Sequence, residues 1–188
     1  RTSLLDTVLE IAERNASRGV TPLGLFEVGQ VAIAEGTSPS PIIGVERRPS
    51  EAELSALLAG VPNQPWHAAG VVGGTYAPKS GEQMLAGAAS APVWGWADAI
   101  EAAREVAGSA GVKIETSRAW VPEGTQKLRG APVPAPAGDP GDVAPFHPGR
   151  VANLFVRTGR GFKVVGRAGE LHPKVVEEYG LPARSAAF

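Results

Sequence analysis

Twenty-four glycines and 17 prolines punctuate this 188-residue chain, so the fold must be assembled from short helices and strands joined by turns. Six of the prolines fall in the 18 residues from Ala131 to Pro148 (APVPAPAGDPGDVAPFHP). Such a stretch favours extended, polyproline-like backbone and lacks the donors a central strand needs, so 131–148 is expected to be a loop or insert. Elsewhere the composition is that of a folded protein, with 43% hydrophobic residues overall. The length suits one domain over 1–188. A net charge of −1 argues against a strongly cationic nucleic-acid binder, so any polyanion contact has to be local. The absence of cysteine excludes disulfides, thiolate metal sites and a cysteine nucleophile, and suits a reducing cytoplasm. No run approaches the roughly 18 to 20 apolar residues that span a bilayer, and no membrane association is expected. The chain starts at Arg1, its one methionine is Met84, and Arg184–Phe188 closes on apolar residues as if within or just after a strand. These ends suggest a piece of something longer.

The periodicity predicts a helix over 3–18, opened by a capping-box-like Ser3 and Asp6, lined by Leu4, Leu5, Val8, Ile11 and Ala12, and closed by Gly19. Leu23 to Ala34 reads as a strand with both faces mostly buried. Pro49, Ser50 and Glu53 open a second helix that ends at Gly60, and Ala68 to Gly73 is a short strand. Residues 74–92 read as a long connection. A third helix runs from Ala97 or Asp98 to Ala107, and a strand from Val112 to Val121. Val151–Arg157 and Phe162–Ala168 flank Thr158-Gly159-Arg160-Gly161 and predict a hairpin. Pro173 opens a last helix and Gly180 closes it. The order predicts an α+β fold, a largely antiparallel sheet with helices on one face.

Few residues carry chemistry. His67, His147 and His172 are scattered, with no His-x-x-x-His pair, so no metal site is assigned. Gly159-x-Gly161 sits on a hairpin instead of a strand-to-helix turn, and there is neither a Walker-type loop nor a Gly-x-Ser-x-Gly elbow. No catalytic and no cofactor-binding residue is assigned. Between Arg150 and Lys174 six basic residues (Arg150, Arg157, Arg160, Lys163, Arg167, Lys174) face Glu170 alone. They read either as outward charges that protect a hairpin edge or as a phosphate-backbone footprint centred on Arg157, Arg160 and Arg167.

Five segments, in order from first residue to last, carry a family resemblance: Arg-Thr-Ser-Leu-Leu (1–5), Arg14-Asn15 to Gly19, Leu25-Phe26-Glu27-Val28-Gly29, Phe146-His147-Pro148-Gly149-Arg150, and Gly166-x-x-Gly169-Glu170-Leu171-His172-Pro173. Together they resemble the C-terminal core of the bacterial phenylalanyl-tRNA synthetase beta subunit. Before the third helix the family's usual Asp-aromatic-aromatic-Asp-Leu-Lys-Gly is replaced by Val93-Trp94-Gly95-Trp96-Ala97-Asp98. The resemblance implies a class II aminoacyl-tRNA synthetase-like fold that is a catalytically silent copy of the alpha subunit's active domain. It further implies assembly with that alpha subunit as α2β2, with ATP, Mg and tRNA(Phe) handled by the cytoplasmic holoenzyme and no cofactor in this segment. The ATP-holding Arg-x-Glu and Gly-x-Gly-x-Gly-x-Glu-Arg motifs have no counterpart here. The implied interface is the first helix and strand, with Leu4, Leu5, Val8, Ile11, Ala12 and Phe26.

Overall fold

The first helix places Leu4, Val8, Leu9 and Ala12 on one stripe, and all four are buried against the sheet that the rest of the chain builds. The structure, a computed structural model, describes residues 1–34, 36, 39–76, 92–119 and 143–188. Its elements are α1 (Leu5–Ala16), β1 (Leu23–Gln30), α2 (Glu51–Ala59), β2 (Trp66–Gly73), α3 (Trp96–Ser109), β3 (Glu115–Arg118), β4 (Phe146–Thr158), β5 (Gly161–Leu171), α4 (Pro173–Glu178) and β6 (Ala186–Ala187). Among the described residues six strands form one sheet, in the order β1-β2-β6-β5-β4-β3, and every neighbouring pair is antiparallel. The α+β class and the antiparallel sheet therefore agree with the sequence reading.

Helices cover both faces of this sheet, which corrects the expectation of one. Successive strand residues point to opposite faces. Ala69 and Val71 of β2, Ala187 of β6 and Leu171 of β5 pack with α1, and Val175, Val176 and Tyr179 of the α4 region join them. Phe188, Ala168 of β5, and Ala152, Leu154 and Val156 of β4 pack instead with Ile100, Ala103 and Ala107 of α3. Ala187 and Phe188 are consecutive and belong to different clusters, so the two cores lie on opposite sides of the sheet.

Local signals account for most element ends. Ser3 does not form the expected box with Asp6: its Oγ accepts from the Leu5 amide at 3.1 Å, one turn position earlier. Gly19 (φ +75°) closes the turn after α1, with the Val20 amide donating to the Asn15 carbonyl. The hairpin forms as predicted, with Thr158 paired to Gly161, but its strands are longer than the sequence suggested. β4 begins at Phe146, inside the stretch read as a Pro-rich loop. Residues 131–142 of that stretch, 77–91 of the connection read over 74–92, and Trp120 and Val121 of the strand read over 112–121 lie outside the described residues. Within the latter, β3 is only Glu115–Arg118.

The start of α2 is the best-defined surface feature. Ser50 Oγ accepts from the Glu53 amide and the Ser50 amide donates to the Glu53 carboxylate, a complete capping box. Arg47 adds two parallel hydrogen bonds to the same carboxylate at 2.6 and 2.8 Å. The Arg47 guanidinium, then the Ser50 amide and hydroxyl, hold the Glu53 carboxyl at about 2, below its ordinary 4.5. A carboxyl lowered in the folded state stabilises it fully above the ordinary value, and this contribution is lost as pH falls through the lowered one. Protection of the amides at the start of α2, taken as the exchange rate relative to that of the unstructured peptide at the same pH, is therefore expected to be full above pH 4.5 and to fall progressively toward pH 2, with Glu53→Gln abolishing that dependence.

Candidate subunit interface

β1 lies at the edge of the sheet, and its side chains divide sharply. Leu23 is buried, and Leu25 packs partly buried on the α1 side, where Arg1 Nη1 also reaches the Glu27 carboxylate at 2.5 Å. The alternate residues face the other side, where α3 does not cover them. Phe26 is 71% exposed and Val28 53% exposed, and Trp66, opposite Gln30 on β2, is 69% exposed. The expectation that both faces of this strand are buried is thus corrected: only the α1 face is.

Glycines shape the strip. Trp94 sits against Gly24, where a Cβ would come within 2.9 Å of its ring, and Tyr76 stacks on Trp94 with centroids 5.6 Å apart. Gly70 stands between Phe26 and Phe188, and a side chain there would collide with the Phe188 ring. The Gly70 amide and carbonyl exchange hydrogen bonds with Phe188, so by the alternation of antiparallel ladders its neighbours Ala69 and Val71 bond to β1. The same alternation leaves the backbone polar groups of Phe26 and Val28 pointing outward from the edge. An edge strand that, among the described residues, shows aromatic surface and free backbone together, with no Lys, Pro or bulge to blunt it, is built to be covered.

The residues implied by the resemblance therefore separate. Leu4, Val8 and Ala12 are buried in this chain's own core. Leu5 is partly buried against the same core, and Ile11 is exposed on the outer side of α1. Phe26 is exposed on the opposite face of the sheet from α1. Val28 and Trp66, absent from the sequence-derived set, lie beside it; the alternation Leu25, Phe26, Glu27, Val28 was the signal, masked because both candidate faces contain apolar residues.

The histidine motifs turn inward. Four residues of β4 (147–150) oppose the single residue Glu170 between the Phe146–Leu171 and Val151–Gly169 pairs. A Cβ on Gly169 would meet the Arg150 carbonyl and the Val151 Cα, so only glycine permits this approach. Glu170, buried, takes a hydrogen bond from Arg150 Nη1 at 2.5 Å and pairs with Arg184 Nε at 3.6 Å. His147 Nδ1 accepts from the Gly149 amide, His172 Nδ1 accepts from the Lys174 amide at the start of α4, and the two rings stack at 6.4 Å. Each motif residue is engaged in a turn or an ion pair of the fold itself. Among the described residues no group of three His, Asp or Glu is placed to hold a metal.

The hairpin arginines do not converge. Arg157 Nε pairs with Glu115 at 2.8 Å, which raises the pKa of its guanidinium, while Arg167 lies farther along β5, opposite Asn153. Arg160 is in the turn. Among the described residues Arg160 and Lys163 make no ion pair.

These features define a class: an α+β domain whose polar motifs clasp its own strands and whose open surface is an apolar sheet edge. Comparison with known proteins gives the family. A family model described as the phenylalanyl tRNA synthetase beta chain CLM domain matches residues 1–188. Over the whole chain the sequence is 35% identical to the phenylalanine–tRNA ligase beta subunit of Thermobifida fusca, and 38% to those of Corynebacterium efficiens and Nocardia farcinica. The chain belongs to this family and is part of a phenylalanine–tRNA ligase beta subunit, as the motif resemblance implied. It spans about a fifth of the length of these relatives, 20%, 19% and 19% respectively. Among the described residues no helix is long and apolar enough to cross a membrane.

The Gly169 contact yields a direct test. Gly169→Ala is expected to lower stability by about 1–3 kcal/mol as for other overpacked sites, read as a lower urea midpoint with an unchanged m-value. Gly159→Ala, at a hairpin position with open space, is expected to change it by less than about 0.5 kcal/mol.

Proposed function

We propose that this domain is a non-catalytic structural core of the beta subunit, with a class II synthetase-like fold, that docks on the alpha subunit through the edge and exposed face of β1. The observation that carries the reading is Phe26, Val28 and Trp66, large apolar side chains exposed on a strand edge whose backbone groups are also open. A partner that covers them gains apolar burial and backbone pairing at once. The pairing of a first helix with an edge strand, α1 with β1, suits the dimer-forming motif that the family resemblance implies. In this reading α1 supports the strand from behind, and its buried Leu4, Val8 and Ala12 act as the platform. ATP, Mg and amino-acid chemistry belong to the alpha subunit, and the assembly works in the cytoplasm as α2β2 on tRNA(Phe).

Replacing Phe26 and Val28 together by Asp is expected to weaken co-elution with the alpha subunit by at least about 30-fold while leaving thermal unfolding of the domain unchanged, since neither side chain enters its core. Unchanged co-elution by size-exclusion with light scattering would overturn the docking reading. Phenylalanine-dependent pyrophosphate exchange by the 188-residue chain alone would overturn the non-catalytic one.

A basic-hairpin contact with tRNA is the second reading, supported by the unpaired Arg160 and Lys163 at the hairpin end. Neutralising Arg157, Arg160 and Arg167 together is then expected to lower tRNA affinity of the holoenzyme and flatten its salt dependence. An unaltered salt slope removes this reading.

A further inference from the structure

The stripe that α3 lays on the sheet runs Trp96, Ile100, Ala103 and Ala107, at helical spacing. The last three pack with Ala152, Leu154 and Val156 of β4, whereas Trp96, the largest, stays 44% exposed. A cavity of about 370 Å³ opens beside it, between the first turns of α3, the end of β3 and the bulged start of β4. Trp96, Ile100 and Ala152 give it an apolar wall, and Thr116, Arg118 and Arg150 a polar one. Two features of the sequence leave this space. Gly149 and Ala152 put almost no side chain into it, and the four residues of β4 that oppose Glu170 alone bend the strand at this point.

The polar wall carries excess positive charge. Arg118 lies opposite Ala152 and so shares the α3 face of the sheet, and among the described residues its guanidinium has neither an ion pair nor a hydrogen bond. Arg150 reaches Glu170, which is two residues from Ala168 and therefore on the same face. That carboxylate is shared with Arg184 at 3.6 Å. Arg118, Arg150 and Arg184 against the single Glu170 leave an excess of two positive charges. The nearest acids of α3 do not offset it: Asp98 is turned to the Gly95 amide, Glu101 pairs with Arg104, and neither lines the cavity.

We propose that this cavity binds an aromatic phosphate monoester, the nucleoside 5′-monophosphate unit, with its ring against Trp96 and Ile100 and its phosphate on Arg118 and Arg150. The volume is near the low end of the roughly 300–1,000 Å³ of ligand pockets, which suits a single ring system with its sugar. A flat apolar wall is the surface on which a base stacks. The charge selects the anion. A carboxylate would leave one of the two excess charges unmatched, whereas a phosphate monoester carries about −1.5 to −2 at neutral pH and accepts from guanidinium forks. The unit has two possible sources, a free nucleotide or the 5′-phosphorylated end of an RNA strand, and its chemistry is the same in both.

The inference does not depend on docking at β1, so it is tested on the full-length beta subunit without the alpha subunit. The probe is 8-azidoadenosine 5′-monophosphate, with the photolabelled peptides mapped by mass spectrometry. Saturable labelling at the start of α3 is expected, with AMP competing at least about 10-fold better than adenosine. This comparison uses unsubstituted protein. Arg118→Gln is expected to weaken that labelling at least about 10-fold, with thermal unfolding unchanged because Arg118 is exposed and unpaired. Labelling only outside residues 1–188, equal competition by adenosine and AMP, or an Arg118→Gln variant labelled like the parent overturns the proposal. A 5′-phosphorylated RNA tetranucleotide separates the sources: stronger competition than AMP assigns the site to an RNA end, weaker competition to a free nucleotide, and both support the site.

Discussion

The two halves of the sheet, β1-β2 and β5-β4-β3, meet through very little backbone: Ala186, Ala187 and the Phe188–Gly70 pair. Everything else depends on that short join. Ala186 and Ala187 are fully buried and carry the smallest side chains able to hold a strand without filling the layers above and below. The turn that delivers them is held from both sides. Ser185 donates to the Pro182 carbonyl, and Arg184, at φ +64°, reaches Glu170. A non-glycine residue in that region costs about 1–2 kcal/mol, offset here by the ion pair and the two ladders it positions.

The polar motifs make sense around the same join. Gly169 brings β5 against the bulged start of β4, Glu170 ties Arg150 of β4 to Arg184 beside β6, and His172 caps α4 immediately after β5. Residues whose types suggest acid-base chemistry are committed to holding three strand ends together. This is why a histidine-rich pair of motifs yields no nucleophile, base or metal constellation among the described residues, and why the open apolar edge at β1 becomes the feature on which function is argued.

Much of the fold was legible because local signals were strong. The Ser50–Glu53 box, the Thr158–Gly161 turn, the glycine after α1 and proline at the start of α4 each carry their own short-range physics, and each appears near its expected place. The points that only the packing resolves share a cause as well. Leu4, Val8 and Ala12 form an apolar stripe whose spacing is the same whether it packs on a partner or on its own sheet. β1 reads as apolar on both faces because Leu23 and Leu25 alternate with Phe26 and Val28, and nothing local says that α1 covers one set while α3 stops short of the other. The hairpin cations look like a patch in sequence, whereas Glu115 and Glu170, brought from β3 and from β5 itself, neutralise two of them.

By itself the sequence determined element type, the hairpin, the capped helix ends, the α+β class and, through its motifs in order, membership of the beta-subunit family. Those properties follow from periodicity, turn chemistry and residue identity within a few positions. Only the tertiary structure decided which apolar face is left open, that helices cover both sides of the sheet, and that the two-residue β6 joins β2 to β5. Each of these depends on contacts between residues far apart in the chain, such as Arg1 with Glu27, 26 positions on, and Val72 with Ala186, 114 positions on, and no local pattern records how such pairs sum across the sheet.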